Sequence, residues 1–523
     1  MRRALGFSLL ATAAITLTAC TTPGATGGGG SGSGGTVTVA LASDPGTLDP
    51  TLANTFDARV VFTSFCEKLY DANNQLDVVP QLAAALPTTS ADGLTVTIPL
   101  RTGIRFNDGT PFNAQAVKTT LDRDLTLPGS ARARELAAVK SVAVVNPTTV
   151  RITLKYPFSP LVAQLADRAG LIMSPTALSK LGAKFGTAPV CVGPFKFVNR
   201  VTGSQISFTK SSDYYAADKV HIQNIVYKII TDPTTRADNL QSGDVQAAEQ
   251  LDATDIPRLR GASGLKIEDI SAISYEGISI NISNANGVSK PPGPVNTPLA
   301  KSPELRKAFE MALDRNAINK AVYDGAQSVD CLPLPLQSPY RPANPGCTPY
   351  DPAAAKQIVA ASGLHTPIPV TLMIPADSGV DRLAQVIQSM ENQVGFAVTI
   401  KSQEFTSSLA AARAGNFDTF LIGWSGRLDP DGDLADLVTA GGSNNFSGLA
   451  DQQLDQLVTQ SAASSDRAVR KASYAKTLQR LAQLRPNIYL YHDRWFLGLS
   501  TKLTGVIYMT DGIPRFTTAS LNG

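Results

Sequence analysis

An α/β architecture in two or three packed lobes is the fold that the sequence predicts. Strand-like and helix-like segments alternate along its second half, the pattern of an α/β lobe. Its 523 residues exceed the roughly 100–200 residues of one domain. A hydrophobic content of 43%, a charged content of 17% and a formal net charge of +3 describe a globular body able to bury a large core. The basic surplus of a nucleic-acid binder is missing, so no nucleic-acid partner is expected.

The chain opens MRRALGFSLLATAAITLTAC, with Arg2 and Arg3 before an apolar run and small residues before a cleavage point, which predicts a secretory signal over residues 1–19. The run is shorter than the roughly 20 residues that span a bilayer, and no later segment is long and apolar enough. Leu17-Thr18-Ala19-Cys20 resembles the lipobox of bacterial lipoproteins, which implies cleavage before Cys20 and a diacylglyceryl group on its sulfur. TTPGATGGGGSGSGG follows. Residues 20–35 are thus expected to be a lipidated cysteine and a flexible tether with an r.m.s. span of roughly 20 Å, holding the body at the outer face of the cytoplasmic membrane.

TVTVALASDP (36–45) alternates β-branched and small residues and predicts a first strand. Residues 57–70 start at an aspartate and carry apolar residues at helical spacing, which predicts a helix. LTVTIPLRTGIRF (94–106) reads as a strand pair, NDGTPF as a turn, and NAQAVKTTLDRDL as the helix it starts, capped by Asn113. TTVRITLKY (148–156), PFKFVNRV, SQISFTKS and HIQNIVYKII (the last three between 194 and 230) read as sheet strands. Helices are predicted over 302–322, 351–363 and 381–395, with strands PVTLMIPA, AVTIKSQ and DTFLIGW among them.

Five cysteines fit an exported chain. With Cys20 lipidated, Cys66, Cys191, Cys331 and Cys347 remain, an even number in a disulfide-permissive compartment. Three pairings are possible. Cys331 and Cys347 flank a Pro-rich loop and are the natural local pair, worth roughly 3 kcal/mol in the chain-entropy model, which leaves Cys66 with Cys191. A metal site is poorly supported: there is no CxxC, and His221, His365 and His492 are scattered. No cofactor is expected.

LRTGIRFNDGTPFNAQAVKTTLDR (100–123), GTLDP (46–50), VGPFKFV (192–198), SSDYY (211–215), DPTTRADNLQSGDVQAA (232–248), LRKAFEMALDRNAI (305–318), YDPAAAKQIVAASG (350–363) and GNFDTFLIGW (415–424) occur in one order. Together they resemble the extracytoplasmic solute-binding proteins, family 5, that serve peptide, dipeptide and nickel ABC importers. The resemblance implies a two-lobed periplasmic-binding-protein fold, type II and cluster C-like, with an extra inserted domain. It places domain I at 36–70, 190–290 and 500–523, domain II at 71–189 and domain III at 291–499. It also implies a monomer that encloses a small peptide or peptide-like ligand between hinged lobes and passes it to ABC permease subunits with their ATPases. The other expectations it leaves are a receptor for an anionic non-peptide solute or metal chelate, and a non-transport signalling or envelope-assembly derivative.

Most motif residues read as structural: Asp108, Gly109 and Pro111 have turn chemistry, and Asp314 and Arg315, on a helix near Arg306, read as interlobe or surface ion pairs. No enzyme is expected. GWSGR lacks the second glycine of GxSxG, Arg427 standing there; Asp429, Asp431 and Asp433 resemble a calcium loop but Leu434 occupies its glycine position.

The resemblance places the ligand against Thr55 and Phe56 in the loop after the first strand, Tyr275, Trp424, and Asn444 and Asn445 near the cleft rim, where turn formation is the stronger reading of the two asparagines. Peptide-binding relatives commonly carry an aspartate after this tryptophan that pairs with the peptide's amino group. Here Arg427 takes its place, while Asp429 keeps the Asp-Pro that follows. A desolvated arginine favours a carboxylate or phosphate, so Arg427 is expected either to contact such a ligand group, dispensably for stability, or to pair with Asp429, Asp431 or Asp433.

Overall fold

The computed structural model describes residues 35–522. The predicted signal peptide, Cys20 and the tether up to residue 34 lie outside the described residues. Local signals set most elements. Thr36–Leu41 is a strand, paired in parallel with Asn224–Ile229 and Ala247–Ala248. Asn113 caps the helix Ala114–Thr126, its side chain accepting from the Ala116 N–H.

Long-range constraints shift others. The helix expected to reach residue 70 is Phe56–Phe65. Cys66 leaves the helix because it is bonded to Cys191, and the Glu67 N–H donates to the Val192 carbonyl at 2.7 Å instead of continuing a helical ladder. Only the first half of 94–106 is a strand, Thr95–Pro99; the rest closes a tight loop in which the Phe106 N–H donates to the Thr110 carbonyl.

The single helix expected over 302–322 is two, Pro303–Met311 and Arg315–Tyr323. Asp314 breaks it, because its carboxylate accepts the Asn316 and Ala317 N–H groups as an N-cap, a local alternative to helix interior that aspartate favours. Arg315 pairs with Glu310 at 2.9 Å.

A single eleven-stranded sheet runs through the molecule. Its order is Phe396–Gln403, Ile368–Pro375, Thr419–Leu421, Leu265–Ile280, Asn487–Ser500, Ala247–Ala248, Thr36–Leu41, Asn224–Ile229, Gln205–Lys210, Phe195–Val201, with Ser328–Val329 against Asn487–Ser500. The two long central strands, 16 and 14 residues, are antiparallel to each other and their register shifts between Ser271 and Tyr275 and again between Glu276 and Gly277. Bulges of this kind bend a strand and re-aim its side chains, so the sheet changes course at Tyr275. A separate antiparallel sheet is built from Thr88–Thr89, Thr95–Pro99, Thr149–Leu154 and Val139–Asn146.

Two large cores lie on either side of that bend. One gathers Val39, Phe62, Phe65, Ile152, Phe195 and Phe208; the other gathers Ile278, Phe309, Leu372, Ile387 and Phe396. Disulfides join Cys66 to Cys191 and Cys331 to Cys347, with Cα separations of 4.8 and 5.6 Å. Among the described residues no helix is long and apolar enough to cross a membrane.

Candidate functional site

At the bend, the strand Thr419–Leu421 is extended by Ile422 to Trp424. The Trp424 N–H donates to the Tyr275 carbonyl at 2.8 Å and the Tyr275 N–H to the Trp424 carbonyl at 3.0 Å. The chain then reverses at Gly426, whose φ of +71° and approach to the Ile273 carbonyl, where a Cβ would sit 2.2 Å from the oxygen, admit only glycine. This reversal lays Arg427 over the Trp424 ring, with the guanidinium carbon 4.2 Å from the centroid, a cation–π contact. Trp424 Nε1 donates to Asp433 Oδ1 at 3.1 Å, so both the face and the edge of the ring are held.

The segment after Arg427 is a helix, Pro430–Val438, capped by Asp429 with Pro430 in its first turn. The stretch GWSGRLDPDGDL (423–434) is thus half turn and half helix start. The signal was available: an Asp-Pro at N-cap and N1, followed by acids in the first turn, is a helix beginning.

Arg427 is 8% exposed. Its Nε lies 3.1 Å from Asp167 Oδ2, and its Nη1 donates to the Gly426 carbonyl at 2.7 Å. The expected internal pairing with Asp429, Asp431 or Asp433 is corrected: the partner is Asp167, from a distant segment, because Asp429 is already engaged by Arg470 through bonds of 2.7 and 2.8 Å. Burial raises the Asp167 carboxyl, but Arg59, Arg427 and Arg168 outweigh it and hold the group well below its ordinary value. Burial likewise pushes the Asp433 carboxyl well up, against the Arg427 charge.

The other expected site residues divide. Tyr275 is buried, its ring edge-on to Tyr489 at 5.0 Å, and with Trp424, Asn444, Leu437 and Phe446 it lines a cavity of about 30 Å³. Asn444 bridges Arg413 Nη2 at 3.0 Å and Asp436 Oδ2 at 2.5 Å. Asn445 is a turn residue: its amide donates to the Thr439 and Leu449 carbonyls and its Oδ1 accepts from Ser447 and the Leu449 N–H. Thr55 caps the helix that follows it, accepting from the Ala58 N–H. Phe56 packs on Trp495 with ring centroids 4.6 Å apart. Arg59, Asp167 and Arg168 were missed by sequence reasoning, and no local motif marks them. The grouping with metal-ligand proximity, Asp330 with Cys331 and Cys347, has both sulfurs in a disulfide.

Buried acids tie the fold to pH, Glu67, Asp124 and Asp431 among them. Burial raises Glu67 to about 7 against hydrogen bonds from Tyr214 and Tyr215, Asp124 to about 7, and Asp431 to about 7 with help from the Asp429 charge. Their folded values lie above unfolded values near pH 4. The stability they contribute is therefore complete below about pH 4 and is lost as pH rises through about 7. Groups held low, such as Asp167, are already ionised across this window. Tm is expected to fall by about 5 °C between pH 5 and 8.5, and Glu67→Gln, which keeps an acceptor for Tyr214, to flatten part of that slope. Calorimetry across this range checks both; a Tm that holds or rises to pH 8.5 contradicts the account.

A sheet shared by two cores, bent where an aromatic pair and an arginine converge, defines a two-lobed binding protein. Residues 77–445 match the bacterial extracellular solute-binding proteins, family 5 (middle). The chain belongs to that family, as the sequence motifs implied, and is an extracytoplasmic solute-binding protein. It is 28% identical over 495 residues to the glutathione-binding protein GsiB of Pectobacterium atrosepticum, covering 92% of this chain and 93% of that protein. In fold it resembles a dipeptide binding protein from Pseudoalteromonas sp. SM9913 in complex with Met-Leu, with a TM-score of 0.85 at 19% identity, covering 93% of this chain and 100% of the other. It also resembles AgaA from A. tumefaciens R10 in complex with agropinic acid, with a TM-score of 0.82 at 24% identity, covering 94% and 99%.

Proposed function

We propose that this chain is the substrate-binding lipoprotein of an ABC import system. It captures a small peptide or peptide-like solute between two hinged lobes and delivers it to a membrane permease. The observation that carries this reading is the clustering of Trp424, Tyr275 and Arg427 at the bend of the central strands, beside a cavity and between the two cores. The glutathione and dipeptide ligands named for the relatives support a peptide-like solute. Domain I is assigned to 36–70, 190–290 and 500–523, the inserted domain to 71–189 and domain III to 291–499, with the strands Leu265–Ile280 and Asn487–Ser500 as the hinge.

Closure needs only a ligand that binds the closed form better than the open one, so no bond need be made or broken. The pairs Arg427–Asp167 and Arg382–Asp252 join segments that part when the lobes open. Cys20 carries the lipid, and the receptor works as a monomer at the outer face of the membrane. A receptor for an anionic solute is the second reading, supported by the buried arginines around Asp167 and by the acid bound in AgaA.

Native mass spectrometry of the purified protein is expected to find a peptide-like ligand retained from the cell. Titration with that ligand is then expected to show at least tenfold weaker binding for Trp424→Ala, about 1.4 kcal/mol or more. A Trp424→Ala protein that binds as tightly as the parent removes Trp424 from the site.

A further inference from the structure

Around Asp167, three guanidiniums share one carboxylate. Arg59 Nε donates to Asp167 Oδ1 at 3.1 Å, and Arg427 Nε lies 3.1 Å from Oδ2. Arg168, adjacent in the chain and 3% exposed, has no carboxylate of its own among the described residues. Its Nη1 donates to the Thr55 carbonyl at 3.1 Å, and its Nε has no hydrogen-bond partner. Arg59, 6% exposed, likewise leaves Nη1 without one.

Neighbouring charges do not correct the imbalance, because they are matched among themselves. Arg132 is held by Glu135 at 2.7 Å, Lys68 by Asp71 at 2.5 Å and Arg515 by Asp511 at 2.7 Å. Glu67, the remaining acid on this wall, accepts both the Tyr214 and Tyr215 hydroxyls at Oε1 and leaves Oε2 without a partner; burial lifts the group to about 7, which weakens its claim as a counter-charge. Burial, and the Arg132 and Arg427 charges with it, push the Arg168 guanidinium well below its ordinary value despite Asp167, which expresses the same shortage of negative charge.

A buried cation without a counter-charge costs several kcal/mol, and a fold tolerates that where an anion is to be received. Arg59 and Arg168 line one cavity of about 60 Å³, well above the roughly 10–15 Å³ that one water needs and sufficient for a carboxylate. The corner adjoins the proposed cleft on two sides: Arg168 holds the Thr55 carbonyl, and Arg427 lies on Trp424.

We propose that Arg59 and Arg168, with Arg427 beside them on Asp167, form a carboxylate-recognition corner, so that the receptor selects peptide-like solutes carrying an additional carboxylate at the end that enters it. The proposal rests on the peptide-receptor reading above and names its substrate class. A second carboxylate completes the set that Asp167 leaves short, and the planar guanidinium fork suits carboxylate oxygens.

Isothermal titration with matched probes that differ by one carboxylate tests it: γ-Glu-Cys-Gly against 4-aminobutyryl-Cys-Gly, and Asp-Leu against Asn-Leu. The carboxylate-bearing member of at least one pair is expected to bind at least tenfold more tightly, and Arg168→Met to bring that ratio close to one. Equal affinities within every pair that binds would overturn the corner and leave the peptide-receptor reading standing. Failure of all four probes, and of a pool of di- and tripeptides, would overturn both. The ratio in the unsubstituted protein decides the matter even where Arg168→Met does not fold.

Discussion

Asp167→Ala is expected to lower stability by about 3–5 kcal/mol, the cost of leaving a buried charge uncompensated. The upper part of that range is the expectation here, because Asp167 serves two directly contacting guanidiniums, Arg59 and Arg427, and a third in Arg168 close by. All three arginines are at least nine-tenths buried, and water entering the adjoining cavity brings no charge to replace the lost carboxylate. For a folded body of this size the loss corresponds to a fall in Tm of about 3–5 °C. Coupling to the arginines gives a sharper check. In the Asp167→Ala background, Arg427→Met removes one of the stranded charges and is expected to return at least about 1 kcal/mol, whereas in the parent the same change is destabilising. A double substitution whose cost is the sum of the two single costs would show that the contact between Arg427 and Asp167 carries no energy.

That pairing also marks where the sequence stops being informative. Strand Thr36–Leu41 and the capped helix Ala114–Thr126 were legible because alternation, spacing and a cap residue are local properties. The helix expected over 302–322 failed at Asp314 for the opposite reason: an apolar stripe continued through a residue whose side chain prefers to cap. Trp424 and Tyr275, 149 residues apart in the chain, exchange backbone hydrogen bonds, a contact that neither local sequence could specify.

Arg427 was legible as an anomaly, but its partner was not. Asp167 sits 108 residues from Arg59 and farther still from Arg427, in a short DRAG stretch with no periodicity to single it out. The expectation that Arg427 could be cut back without structural cost does not survive its burial and its ion pair. Asn445, by contrast, spends its side chain on a turn, the role that an asparagine in a Gly/Ser/Asn stretch favours over a rim contact.

Asp429→Ala is expected to be the most damaging single change near the site, because one carboxylate performs two tasks. It accepts the Asp431 N–H as the N-cap of Pro430–Val438, and it takes both terminal nitrogens of Arg470 at 2.7 and 2.8 Å. Arg470 is 4% exposed and lies over the Tyr340 ring at 4.7 Å, with further bonds to the Tyr340 and Tyr474 hydroxyls. Those hydroxyls cannot supply the missing charge. Removing the carboxylate strands Arg470 at about 3–5 kcal/mol and removes a cap worth about 1 kcal/mol. Asp429→Asn separates the two contributions, since asparagine caps as well as aspartate but carries no charge. Asn is therefore expected to cost the ion-pair part alone, and Ala about 1 kcal/mol more. The helix so loosened also carries Asp433, whose carboxyl holds the edge of Trp424, so ligand affinity should fall together with stability in both variants. An Asn variant as stable as the parent would place the whole role of Asp429 in the cap and none in Arg470.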